Sequence, residues 1–178
     1  MSPLLFSTIE VTRQVFHRTA LSFAIVNLKP IVPGHVLVCP IRPVPRLSDL
    51  NPTELTSLMI SVQRVGRVIE REYHADGLTV ACQDGRAAGQ TIPHVHFHLL
   101  PRKYEGDAFE GRSDDVYPAL ERAEGSLPKD LTSASSEQKP ARFKVDADED
   151  RKPRTMDEME KEAKWLSSFF NPDGTAKE

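Results

Sequence analysis

The chain has 178 residues, of which 39% are hydrophobic, enough for one domain with a modest core. A net charge of −3 offers no basic field for DNA or RNA, and the absence of any apolar run of about 18 residues argues against a helical membrane span. Two separated cysteines, and an N-terminal stretch with neither a basic region nor a long apolar run, point to a reducing compartment: the cytoplasm, extending to the nucleus. In chain order, Leu21–Val26 is apolar and partly β-branched and reads as a strand. Lys29-Pro30 and Pro33-Gly34 mark a turn, and His35–Ile41 reads as the antiparallel partner strand. Asn51, Pro52 and Glu54 form a helix start with the pattern of a capping box. Leu55, Leu58, Met59, Val62, Val65, Ile69 and Tyr73 then recur at helical spacing as a core stripe, with Gly77 as the stop. Gly66, in mid-helix, suits close packing against a sheet. Leu78–Gln83 reads as a strand, residues 84–93 as a glycine-bearing loop, and His94–Leu100 as the strand that follows.

From Tyr104 the composition changes. Glu121–Arg154 holds one aromatic residue, Phe143, among many Ser, Lys, Glu and Asp, too little apolar area to offset its ordering entropy. The expected organisation is therefore a core over residues 1–103, a mobile charged loop over 104–154, a helix over 155–171 that completes the domain, and a tail over 172–178. The last helix starts at Thr155 with Glu158 as its box partner and presents Met159, Ala163, Leu166 and Phe170 on one face.

The segment His94-Val95-His96-Phe97-His98-Leu99-Leu100 carries the chemistry. In a strand, successive side chains point to opposite faces, so three imidazoles share one face and Val95, Phe97 and Leu99 the other. His94 and His96 would start about 7 Å apart and His94 and His98 about 13 Å, too long a span for one small ion. Neither Cys39 nor Cys82 forms a Cys-x-x-Cys pair, so no protein-held metal is expected. An extended anion such as a polyphosphate fits the row better. The middle ring, His96, can act as a nucleophile, with histidines on both sides to donate to phosphoryl oxygens or to protonate a leaving group. The competing reading is three solvated histidines on an exposed strand. Gln83 is a neutral donor and acceptor able to touch a phosphate oxygen, or an ordinary strand-end amide. His35, in another strand, either orders the triad through a hydrogen bond or is a core histidine.

The pattern His-φ-His-φ-His-φ-φ, with φ apolar, resembles the histidine triad superfamily. Gln83-Asp84-Gly85, Gly89-Gln90-Thr91, and Asn27 with Gly34-His35 within Leu21–Pro40 are similar to its fragile histidine triad branch, the dinucleoside polyphosphate hydrolases. The resemblance runs from Leu21 to Arg102 and resumes at the C-terminal helix. The galactose-1-phosphate uridylyltransferase branch has Gln where this chain keeps His98, and the aprataxin branch adds a Cys₂His₂ finger that two cysteines do not provide. The resemblance implies an α+β HIT-like fold: an antiparallel sheet of about five strands, two main helices, and sheets joined in a homodimer. It implies hydrolysis of a dinucleoside polyphosphate, diadenosine triphosphate first among them, through a nucleotidyl-histidine at His96. His94 and His98 would stabilise phosphoryl oxygens and the leaving group, Asn27 would hold ribose, and Gly89, Gln90, Thr91 and Ile92 would bind phosphate. Leu5, Phe6, Ile9, Ile25 and Leu37 would line a base pocket, or serve as core. A Mg²⁺ or Mn²⁺ ion would ride on the substrate phosphates. A nucleoside phosphoramidate hydrolase, and a dinucleotide-binding signalling protein with slow turnover, are the alternatives. Tyr117 matches weakly a tyrosine linked to signalling in that branch.

Overall fold

The computed structural model describes residues 3–135 and 153–177. A short N-terminal hairpin, β1 (Leu5–Phe6) and β2 (Ile9–Glu10), precedes a five-stranded sheet. Its strands are β3 (Val15–Arg18), β4 (Ser22–Val26), β5 (Val36–Pro40), β6 (Gly77–Ala81) and β7 (Phe97–Arg102), in the order β3-β4-β5-β7-β6. Every pairing is antiparallel. The helices are α1 (Pro52–Glu72), α2 (Val116–Ser135) and α3 (Met156–Ser167). The fold is the expected α+β sheet architecture, with three helices where two were expected.

Across the centre of the sheet, Leu37 stands opposite His98 on one side and Ala81 opposite His98 on the other. Leu99 faces α1, where Gly66 lets the helix approach: a Cβ there would lie 2.8 Å from Leu78 Cδ1 and 3.9 Å from Leu99 Cδ2. His98 and Leu100 share the opposite face, and α2 covers it through a small cluster of Val116, Ala119 and Leu120 against Ile31, Val32 and Leu100.

The start of α1 is as expected. Asn51 Oδ1 accepts from the Glu54 N–H at 2.9 Å, and Glu54 Oε2 accepts from the Asn51 N–H at 3.0 Å. Arg42 reinforces this end through Glu54 Oε2 at 2.6 Å. The stripe divides, however. Leu58, Val62, Val65 and Ile69 are buried, whereas Leu55 and Met59, with Ile60, are exposed. The helix also stops earlier than Gly77. His74 takes the left-handed backbone conformation (φ +52°), and Gly77 already belongs to β6.

α3 begins at the Thr155–Glu158 capping box and buries Met159, Ala163 and Leu166, with Phe170 just beyond its end. It packs on β3 and β4 of its own sheet. Just before α3, the Arg154 side chain bonds Glu162 and the main-chain carbonyl of Asn27, and its N–H bonds Leu28 O at 3.0 Å. The tail after α3 folds back: Ala176 bridges Phe170, and the Lys177 N–H donates to Phe169 O at 2.8 Å.

The larger correction concerns residues 104–154. Their described part is not a loop throughout: Val116–Ser135 is helical and Glu124 is fully buried. Val116, Ala119, Leu120 and Ala123 follow helical spacing, but two of the four are alanines, so the stripe escapes a search for large apolar residues. Residues 136–152 lie outside the described residues.

Candidate active site

β7 begins at Phe97, so His94 and His96 precede the strand and only His98 lies within it. All three rings are nonetheless buried, which excludes a solvated row. They do not form one equivalent set.

His94 is held entirely by backbone. Its Nδ1 accepts from the Ser7 N–H at 2.9 Å, and its Nε2 donates to Pro40 O at 2.8 Å. Burial lowers its pKa, the Pro40 carbonyl opposes that, and His96 adds to it; the net is about 4. Expected to touch phosphoryl oxygens, His94 instead ties the N-terminal hairpin to the end of β5, with both nitrogens occupied. Phe6 packs beside it, 5.4 Å from its ring centroid and edge-on 5.1 Å from that of His96.

His96 Nδ1 lies 2.7 Å from His94 O, and a carbonyl can only accept. The tautomer assigned from that bond leaves Nε2 as the nitrogen with the lone pair. His98 is ordered from the other side. The Ile31 N–H donates to His35 Nδ1 at 3.2 Å, so the His35 proton sits on Nε2, which faces His98 Nδ1 at 3.0 Å. His98 therefore carries its proton on Nε2. Burial above all lowers the pKa of His98, which keeps the ring neutral. Its Nε2 is buried with no hydrogen-bond partner. Of the two readings of His35, a partner that orders the triad is the one its bonds support. Among the described residues, a nucleophilic nitrogen and a preset N–H donor thus converge, their rings 5.0 Å apart.

Opposite them stands a group the sequence reading missed. Glu124 Oε2 is 3.1 Å from His96 Nε2 and 3.6 Å from His98 Nε2. Glu124 Oε1 accepts from the Thr91 N–H at 3.0 Å and Thr91 Oγ1 at 3.1 Å, while Thr91 Oγ1 also lies 2.8 Å from Glu124 O. Burial pushes the Glu124 carboxyl up, yet the bond from His96, the nearness of His98 and the Thr91 N–H hold it well below the usual carboxylate range. Its helical offset of eight from Val116 was the available signal.

The remaining expected residues divide between the site and its support. Thr91 faces Glu124. Gln83 packs on Gly89, where a Cβ would lie 2.6 Å from Gln83 Nε2 and where φ is +91°, so this loop position needs glycine. Gln83 Oε1 is buried without a partner. Gln90 instead braces the loop, accepting from the Gly85 N–H at 3.1 Å and donating to Pro45 O at 2.9 Å. Ile92 is buried in the core. Asn27 Oδ1 accepts from the Lys29 N–H at 2.9 Å, which caps the turn, and its amide nitrogen lies 3.4 Å from His35 Nε2. Of the expected base-pocket residues, Phe6, Ile25 and Leu37 are core, Ile9 is partly buried and Leu5 is exposed. Tyr117 is exposed at the start of α2.

His96, His98 and Glu124 place three potential metal-ligand atoms within 4.8 Å of one another. One carboxylate among imidazoles is unlike the oxygen cage that Mg²⁺ prefers. Neither cysteine joins the site as a thiolate: burial pushes Cys39 well up and Cys82 up to about 11.

A family model described as the HIT domain matches residues 8–105. Over 175 residues the chain is 52% identical to the bis(5'-nucleosyl)-tetraphosphatase (asymmetrical) of Schizosaccharomyces pombe, covering 94% of each chain. It is 45% identical over 159 residues to the bifunctional bis(5'-adenosyl)-triphosphatase/adenylylsulfatase FHIT of Arabidopsis thaliana, covering 89% of this chain and 79% of that one. The solved Plasmodium falciparum diadenosine triphosphate hydrolase, 24% identical, shares the fold with a TM-score of 0.67 over 95% of this chain and 84% of that one.

Proposed function

Since the chain belongs to the HIT domain family, we propose that it hydrolyses dinucleoside polyphosphates to a nucleoside monophosphate and the remaining nucleotide. The observation that carries this reading is that His96 Nε2, the nitrogen its Nδ1 bond leaves for attack, and His98 Nε2–H face one point, now taken by Glu124 Oε2. Attack by His96 Nε2 forms a P–N bond to the α-phosphorus and breaks the P–O bond to the leaving nucleotide, which departs as a phosphate anion that the neutral His98 Nε2–H stabilises by a hydrogen bond. Water then breaks the P–N bond and frees the enzyme. Thr91 and Gln83 supply further polar contacts to phosphate, and Asn27 lies beside His35 where a ribose would be held. A divalent cation would travel on the substrate phosphates, neutralising charge there. The names of the relatives divide between tri- and tetraphosphates, so a product panel across both lengths, with adenosine phosphoramidate alongside, defines the preferred substrate. Two free thiols suit a cytoplasmic location.

Replacing His96 by Asn removes the attacking nitrogen and keeps a polar side chain. Turnover is expected to fall by several orders of magnitude with far less change in substrate affinity. Quenched wild-type enzyme should yield an acid-labile, base-stable adduct on His96. Near-normal turnover in the Asn variant, or an adduct elsewhere, overturns the covalent route.

The protein is also proposed to act as a homodimer. β6 is a sheet edge with Val80 exposed, and Leu55, Met59 and Ile60 expose an apolar patch on α1. Light scattering should give twice the 19.9 kDa chain mass at micromolar concentration; a single-chain mass refutes the pairing.

A further inference from the structure

Glu124 lies where the proposed reaction needs a phosphate. Its carboxylate takes up His96 Nε2, lies against His98 Nε2, and accepts from both the N–H and the hydroxyl of Thr91. Those are the nucleophile, the donor and part of the loop assigned above to the substrate. A carboxylate and a non-bridging phosphate edge both present a pair of anionic oxygens to such donors. Both cannot occupy the same donors.

The contact also blocks the nucleophile. His96 Nδ1 already gives its proton to His94 O, so the bond between His96 Nε2 and Glu124 Oε2 requires a proton between those atoms. With that proton in place, Nε2 has no lone pair for phosphorus. Glu124 is fully buried and comes from α2, whose described apolar anchors are the few residues around Leu100. A small anchor permits a helix to leave at modest cost.

We propose that Glu124 is a built-in substrate mimic: with α2 docked, its carboxylate occupies the phosphate position and holds the enzyme in a resting state that the substrate opens by displacing α2. This rests on the hydrolase reading above. The substrate's phosphates compete for the same donors, and the bound form has Glu124 withdrawn.

The test separates binding from turnover. AMP is titrated calorimetrically into the full-length wild-type protein and into its Glu124→Ala and Glu124→Gln variants. If the plugged form dominates at about 9:1, removing the plug tightens AMP binding about tenfold. Glu124→Gln, which keeps the shape without the charge, should fall between. With a dinucleoside triphosphate, KM should drop in Glu124→Ala with no fall in kcat. Hydrogen exchange on the wild-type protein provides a readout independent of any variant's folding: amides at residues 116–125 should exchange faster when AMP is added. Equal or weaker AMP binding by the variants overturns the proposal, as does unchanged or slower exchange in α2 with AMP. Tighter AMP binding by variants that, like the wild type, hydrolyse no dinucleotide would sustain the plug and remove the hydrolase reading. Hydrolysis with unchanged AMP affinity in the variants would do the reverse.

Discussion

α1 and α2 lie on opposite faces of one sheet and are held in different ways. α1 carries a complete capping box, an ion pair at its first turn and five large or β-branched buried residues in the main core. Among the described residues, α2 rests on Val116, Ala119, Leu120 and Ala123 in a cluster of its own and inserts a charged residue into the protein. A helix that spans the main core fixes the strands that carry His98 and its neighbours. On the proposal above, a helix whose described apolar contacts are few exchanges places with a ligand. The contrast teaches that position over a site is no guide to permanence; the apolar area behind the helix is.

Truncating each helix at a buried leucine sharpens the contrast. Leu58→Ala empties space in the main core and is expected to cost about 2–5 kcal/mol of global stability in a urea titration, with no gain in activity. A loss below about 1 kcal/mol would show that α1 is not the rigid partner. Leu120→Ala should cost less, because the loss is limited by whatever free energy docks α2. It should also raise hydrolytic rate at low substrate, because Glu124 leaves more readily. If Leu120→Ala is as damaging globally as Leu58→Ala, the two helices belong to one cooperative unit and the comparison fails.

Most of the sheet and both capped helices were legible because their signals are local. Asn51 with Glu54, and Thr155 with Glu158, mark helix starts within four residues, and β4 and β5 appear as short apolar runs between turn residues. The His96–His98–His35 relationship was half legible. The residue types were visible, but the proton order comes from carbonyls and amides that carry no sequence signature, at His94 O and the Ile31 N–H. His94 looked equivalent to the others because alternation records spacing and not bond partners; Ser7 and Pro40, far away in sequence, decide its role. α2 was hidden for a compositional reason. Alanines contribute little hydrophobic signal, and the charged residues around them suggested solvation, although one of those charges, Glu124, is the most enclosed of the helix's described side chains. Leu55 and Met59 were misplaced because periodicity cannot distinguish a face that meets its own sheet from one that meets solvent.

The relay from Ile31 through His35 to His98 has one further consequence. Its first member is a peptide N–H, a donor that keeps its hydrogen across the whole physiological range of acidity. The direction in which the two rings pass their hydrogens is therefore written into the main chain and not chosen by the side chains. Rotating either ring, or exchanging its tautomer, would set two donors or two acceptors face to face inside a closed space. The orientation of the hydrogen bonds that reach His98 is thus set by a covalent bond of the backbone.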